Sequence, residues 1–370
     1  MSTDLLHVTG TDPVTARPVD HWIADGVFVD APSDRGAAGI TLTGWVLPGF
    51  VDAHCHVGYS RAGVATLPEA VLQARTNLAA GVTAIRDCGS PLDTSSLVGR
   101  PDLPVLVRAG RHLARPKRYI RGLGVDLDDP AELPAEVGRQ VAYGGGWIKL
   151  VGDWIDRSTG DLAPLWPDDV LADAVAIAHA GGARVTAHVF GGDAIPGLLA
   201  AGIDCLEHGT GLTDAAIAEM VRRGVHLVPT LINVANFPDF AAAAARFPIY
   251  AAHMRDLHAR SDATIVAALA AGVDVHAGTD AGGFVEHGRI VDEVHALIRV
   301  GERAGMTVTD VLDAASGRAR RWLDLSGPDL GTAADLVVYP VDVAAMPDAL
   351  AAPTAVIRAG RLVDGGDHAA

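Results

Sequence analysis

Between Val46 and His276 the chain alternates short apolar runs with longer one-sided ones, and the pair recurs eight times. The short runs are Val46 to Ala53, Val82 to Arg86, Pro104 to Arg108, Trp147 to Val151, Arg184 to His188, Ile203 to Glu207, Val225 to Val228 and Val273 to His276. Runs of this length without a polar face read as strands buried on both sides. Between them, Leu67 to Leu78, Asp168 to Ala178, Thr213 to Arg223 and Ala263 to Ala270 carry helical spacing. Gly81, Gly202, Gly224 and Gly272 stand just before the next strand, where helix C-caps place glycine, and Thr213 and Thr307 stand at N-cap positions. Repeated βα units imply a parallel sheet, and eight of them imply an α/β fold closed as a (β/α)8 TIM barrel over residues 45–330. The stretch from Asn233 to Ala259, rich in Ala, Phe and His, is expected to cover the barrel mouth.

The two ends have a different texture. Residues 1–44 alternate short β-like pieces (Leu5 to Val8, Gly26 to Val29, Ile40 to Leu42) with Asp, Pro and Gly turns. The same texture returns over residues 331–370, in Ala334 to Tyr339 and Ala355 to Gly360. One small β-sandwich assembled from both termini is the expectation.

Composition narrows the partners. Aromatics are only 5% of a chain that is 49% hydrophobic, so the core rests on Ala, Val, Leu and Ile. A net charge of −16 argues against nucleic acid or an anionic membrane as partner. Three cysteines give no disulfide framework and point to a reducing compartment. Met1-Ser2-Thr3-Asp4 does not begin a secretory signal, and no apolar run is long enough for a membrane span. The expectation is a cytoplasmic protein acting on a small-molecule substrate, with a homo-oligomer left open.

In a barrel of this kind, chemistry sits at the carboxyl ends of the strands. Those ends carry His54, His56, Lys149, His188, His208 and Asp280. Alternation along a strand puts His54 and His56 on one side and Cys55 on the other. Singly, each histidine reads as an ordinary polar residue, and Asp280 in Gly278-Thr279-Asp280-Ala281-Gly282 reads as a turn residue. Together, four histidines and an aspartate on one rim point to a metal site. Lys149 lies in the apolar run Trp147-Ile148-Lys149-Leu150-Val151, and Lys117 is the only other lysine among 29 basic residues. A buried ammonium is costly unless paired. Carboxylated by CO2, Lys149 becomes a carbamate anion able to bridge two metals; the competing reading is an ion pair with a carboxylate such as Asp153.

The run Leu47-Pro48-Gly49-Phe50-Val51-Asp52-Ala53-His54-Cys55-His56 resembles the first strand of the amidohydrolase superfamily, in its binuclear branch with a bridging carboxylated lysine. Gly81 to Asp87 and Gly331 to Val338 are similar to that superfamily too, most of all to its imidazolonepropionase-like and prolidase-like group. The resemblance implies that His54, His56 and Asp280 hold one divalent metal, His188 and His208 the second, and carboxylated Lys149 bridges them. Zinc is the first choice, with manganese or cobalt suited to the same set. It further implies hydrolysis of a C–N bond (amide, peptide or lactam) by a metal-bridging hydroxide, with Asp280 moving the proton to the leaving amine.

Three other readings stay open. A mononuclear deaminase on this barrel usually has Glu three residues after the fifth-strand histidine, where this chain has Gly191. Phosphotriester or ester hydrolysis uses the same metal pair. A degenerate barrel acting as a binding protein would lack a ligand, and none is missing.

Leu103 to Val125 contains no acid but carries Arg108, Arg111, Arg115, Lys117, Arg118 and Arg121. On the rim after the third strand, Arg111, Arg115 or Arg118 is expected to grip a substrate carboxylate through its planar fork. His112, Tyr59 and Thr230 are further substrate-contact candidates, with Asn233 and His276 behind them; Cys88 and Cys205 read as small buried hydrophobes.

Overall fold

In the computed structural model, which describes residues 5–34 and 38–363, the chain changes sheets at Gly49. Ile40–Pro48 pairs parallel with Leu6–Thr11 and antiparallel with Leu336–Tyr339. Phe50–Cys55 pairs instead with Val82–Asp87. The single strand expected from Val46 to Ala53 is therefore two. A Cβ at Gly49 would stand 2.2 Å from Thr83, so only glycine fits the crossover. The adjoining amides already serve different sheets: Gly49 N donates to Asp335 O and Phe50 N to Gly81 O.

Both chain ends feed one seven-stranded sheet. Its order is Arg361–Leu362, Ala355–Arg358, Leu336–Tyr339, Ile40–Pro48, Leu6–Thr11, Pro18–Ala24, Val27–Val29. Val8, Ile23, Phe28, Val46, Leu336 and Ile357 pack into a core separate from that of the middle of the chain. Asp335 ties this sheet to the rest. Its buried carboxylate receives Arg320 from the helix Gly317–Trp322 at 3.1 Å and Arg358 from the sheet at 2.9 Å.

The middle of the chain is α/β, with parallel strands. Phe50–Cys55, Val82–Asp87 and Val105–Arg108 pair in sequence. After a break at Ala109, Gly110 and Arg111, pairing resumes through His112–Ala114, Trp147–Val151, Arg184–Val189, Cys205–His208 and His226–Val228. The expected eighth strand is extended chain with isolated bridges rather than a ladder. Its bonds nevertheless face both neighbours: Leu227 N donates to Asp274 O and Ala53 N to Ala277 O.

Helices follow the expected signals. Leu67–Ala79 starts with a capping box between Thr66 and Glu69, and Asp214–Arg223 is capped by Thr213. Gly202 and Gly224 close their helices in the left-handed conformation. The covering stretch after the seventh strand is helical: Leu231–Val234, Phe237–Ala243 and Pro248–Ala270, the last absorbing the expected helix Ala263 to Ala270. Its alanines favour helix. No helix among the described residues is long and apolar enough to cross a membrane.

Candidate active site

Four histidines form a row across the strand ends. Ring centroids are 5.0 Å apart for His56 and His54, 5.3 Å for His54 and His208, and 4.7 Å for His208 and His188. His54 and His56 share a side because they stand two apart where the strand Phe50–Cys55 ends, and Cys55 turns away towards Asn77 and His287. Asp280 Oδ1 lies 3.1 Å from His54 Nε2 and 3.0 Å from His56 Nε2. Its other oxygen accepts from Asn233 Nδ2 at 2.6 Å. Asp52 braces this corner, taking hydrogen bonds from the Thr279 amide and hydroxyl and from the His54 amide.

Backbone conformation aims these side chains. His208, Thr230 and Asp280, at the ends of the last three strands, all have positive φ, at 66°, 47° and 59°. Each such non-glycine residue costs on the order of 1–3 kcal/mol and persists only where surroundings enforce it. At His208 the turn lets consecutive residues serve one site: Glu207 reaches Lys149 while His208 meets His188 Nδ1 at 3.0 Å. Thr230 Oγ1 sits 2.7 Å from His208 Nδ1.

Lys149 is fully buried and its partner is Glu207, not Asp153. Asp153 instead accepts the Phe190 and Gly191 amides at 2.9 and 2.6 Å. Glu207 is held from its other oxygen by Thr186 Oγ1 at 2.8 Å and, more loosely, by Arg86 at 3.5 Å. Cys88 Sγ also comes close to His54 and Glu207.

Burial keeps the second histidine pair neutral: it pushes His208 down to about 3 and, with His208 beside it, His188 well below the ordinary range. Burial opposes charge on Asp280 and Glu207 too. Neighbouring His54 and His56 nevertheless hold Asp280 well below the usual carboxylate range, and His54 and Lys149 do the same for Glu207. The donor set suits a cation. His56 Nδ1 donates to Gly89 O at 2.9 Å, which turns its Nε2 lone pair towards His54 Nε2, 3.1 Å away, and Asp280 Oδ1. Buried His54 Nδ1 and His188 Nε2 have no hydrogen-bond partner. Convergent lone pairs and orphaned ring nitrogens are what a metal satisfies.

Beside this row opens a cleft of about 400 Å³, inside the usual range for small-molecule sites. His56, His188, Asn233 and Asp280 line it; the covering helices supply Asn233, Phe240 and Tyr250, and the link between the last two supplies Arg246 and Phe247.

The sequence profile of the amidohydrolase family matches residues 45–363. The chain belongs to the amidohydrolase family. This amidohydrolase is thus a hydrolase by family. It is 55% identical over 356 residues to an uncharacterized protein of Mycobacterium tuberculosis, covering 96% of this chain and 95% of that one. It shares its fold with a Xaa-Pro dipeptidase solved with bound methionine, at a TM-score of 0.79 and 21% identity, over 98% of this chain and 99% of that one. The ochratoxinase of A. niger is alike in fold, with a TM-score of 0.78 and 18% identity over 99% and 97% of the two chains.

In this amidohydrolase the arginines expected to grip a substrate carboxylate are engaged elsewhere. Arg111 donates to Gly124 O and Arg115 to Asp128 O. Arg118 donates to Asp156, Trp154 O and Ala163 O, knitting its loop to the hairpin of Asp153–Asp156 and Asp161–Pro164. None lines the cleft. The cations that do are Lys117, from the same loop, Arg157 and Arg246. Tyr59 lines the cleft as expected, whereas Thr230 is buried behind His208. His112 is buried between His56 and Tyr119, and His276 stacks on Trp322 against the first residue of the strand His226–Val228. Sequence reasoning missed Glu207, an acid ending an apolar run just before a histidine, which was signal enough. It also missed Tyr119 and Trp154, which only the folded loops bring to His188.

Proposed function

We propose that this chain is a metal-dependent hydrolase of the C–N bond in a small, carboxylate-bearing amide, peptide or lactam. The observation that carries this reading is the convergence of His54 Nε2, His56 Nε2 and Asp280 Oδ1 beside an open cleft. His54, His56 and Asp280 would hold one divalent ion, zinc by preference, and His188 and His208 a second, with carboxylated Lys149 between them. When bound, the metals supply an activated water at neutral pH and a Lewis acid for the scissile carbonyl. The rest falls to the chain itself. Asp280, whose Oδ2 faces away from the two histidines and is positioned by Asn233, takes a proton at that oxygen and returns it to the leaving amine. Gly89 O and Thr230 set the ring orientation of His56 and His208.

The architecture we propose is a (β/α)8 barrel following Gly49 and running to residue 330, with the end sheet as its small β-sandwich. Bonds from residues 273–281 back to the first parallel strand support the closure, and the separate core of the end sheet supports the sandwich. Three free, buried cysteines support a cytoplasmic location.

The Lys149–Glu207 contact favours a second reading, in which Lys149 is only an ion-pair partner. Carboxylation stays compatible with Glu207 because Thr186 and Arg86 hold that carboxylate independently. Metal analysis and a panel of N-acyl amino acids, dipeptides, lactams and aryl esters decide between them. The carbamate reading expects two divalent ions per chain, an inactive Lys149→Arg, and partial rescue of Lys149→Ala by a short carboxylic acid. One ion per chain with a fully active Lys149→Arg establishes the ion pair.

A further inference from the structure

Aromatic residues are 5% of the chain, yet eight aromatic side chains line the cleft. Two of them form an inner pair. Tyr119 and Trp154 meet edge to face at 4.8 Å, with their centroids 5.5 and 5.3 Å from the ring of His188. The Tyr119 hydroxyl makes no hydrogen bond to any described residue. An outer pair, Phe240 and Phe284, meets at 4.5 Å, and Phe284 is 52% exposed at the mouth. Exposed aromatics beside a cleft mark a surface made to be covered.

Charge along the cleft is equally lopsided. Lys117, Arg157 and Arg246 line it, against Asp280 as the single lining acid. Asp280 is already engaged by His54, His56 and Asn233. Among the described residues, none of the three cations has a carboxylate within 4.0 Å. Most other arginines of this chain are paired, as Arg75 with Asp102, Arg222 with Glu219 and Arg299 with Asp262 show. Arg246 lies over the Phe247 ring at 4.9 Å, but three cations without a carboxylate partner on one cleft, in a chain of net charge −16, still make a local field for anions.

We propose that the cleft selects carboxylate-bearing aromatic amides. A flat aromatic body lies against Tyr119 and Trp154 beside the histidine row, and the carboxylate faces Lys117, Arg157 and Arg246. This rests on the reading of the site as a hydrolase centre but assigns the substrate by its two ends. Offset or edge-to-face contact rewards a planar ring over a saturated one of similar size. The guanidinium groups reward a carboxylate over its neutral amide.

Binding without turnover tests the proposal, so its failure is separate from a failure to hydrolyse any amide. The metal-loaded protein is titrated calorimetrically with 2-naphthoate, 2-naphthamide and decahydro-2-naphthoate. The expected result is that naphthoate binds at least about tenfold more tightly than naphthamide, the size of one charge-assisted bond. It should also bind more tightly than the saturated acid, and its advantage over the amide should shrink as salt is added. In the triple variant Lys117→Ala, Arg157→Ala, Arg246→Ala the gap between acid and amide should close. All three side chains are exposed, so the fold does not depend on them. Equal affinity for naphthoate and naphthamide overturns the anionic half, and so does a gap that persists in the triple variant, since the metals would then hold the carboxylate. Equal affinity for the aromatic and saturated acids overturns the aromatic half.

Discussion

Asn233 donates from Nδ2 to Asp280 Oδ2 at 2.6 Å, the carboxylate oxygen that neither His54 nor His56 touches. One carboxylate is thus pinned from both sides, by imidazoles on one oxygen and an amide on the other. Asn233→Ala should leave metal content unchanged and lower kcat about tenfold, the value of one hydrogen bond to a charged group. Asp280→Asn should cost far more in kcat than in metal affinity, because an amide can ligate but cannot carry a proton. Metal content and single-turnover rates on the same preparations check both. Near-normal kcat with metals retained in Asp280→Asn refutes the proton-transfer role.

Thr230 is buried behind the histidine row, and its side-chain hydroxyl makes a 2.7 Å contact with His208 Nδ1. Replacing it with Val keeps the shape and frees the ring. Affinity for the ion at His188 and His208 should fall by about 10- to 100-fold, as losses of such outer partners do. Competition against a chelator measures this. An unchanged affinity means that packing alone orients His208.

Asp335 holds Arg320 and Arg358 in a buried triad. Asp335→Ala strands two guanidinium groups out of water and should cost roughly 3–5 kcal/mol of stability. Urea unfolding should show the midpoint drop with little change in slope. A loss under about 1 kcal/mol, the worth of an exposed pair, would mean that water reaches the arginines.

Glu293, on the helix Ile290–Arg303, accepts the amides of Leu231 and Ile232 behind the site, and burial pushes its carboxyl up to about 8. The folded chain therefore keeps a proton that the unfolded chain, with an ordinary value of 4.5, has released. The resulting stability is full below pH 4.5 and is lost as pH rises through about 8. Relative to Glu293→Gln, which cannot ionise, the wild type should lose stability steadily across that window. Parallel unfolding curves for the two proteins at pH 5 and pH 8 would contradict the buried proton.

The histidine row, Lys149 and Asp280 were legible because strand alternation and the repeated βα pattern fix which residues reach the rim. Glu207 was not, since its reach to Lys149 beside an inward His208 depends on a left-handed turn that no local pattern announces. The sheet change at Gly49 was hidden because the chain is apolar on both sides of it. Charge runs located the basic loop but not its use: Arg118 finds carbonyls of a hairpin more than thirty residues away, while Lys117, its neighbour, turns to the cleft with φ 63°. The aromatic lining was invisible for a related reason. Tyr119, Trp154, Phe240 and Phe284 belong to four separate segments, and only the closed fold adds them together.

The end sheet has a consequence for how the chain is made. Ile40–Pro48 leaves the ribosome well before Leu336–Tyr339, for which one of its two edges is reserved. Until then Val46 and Leu47 border an unsatisfied ladder, an invitation to pair with another nascent chain. Arrival of Leu336–Tyr339 closes that edge, and the adjoining Asp335 brings Arg320 and Arg358 together. Synthesis thus has a checkpoint at Leu336–Tyr339, and chains interrupted before it should partition to aggregates rather than to a smaller folded species.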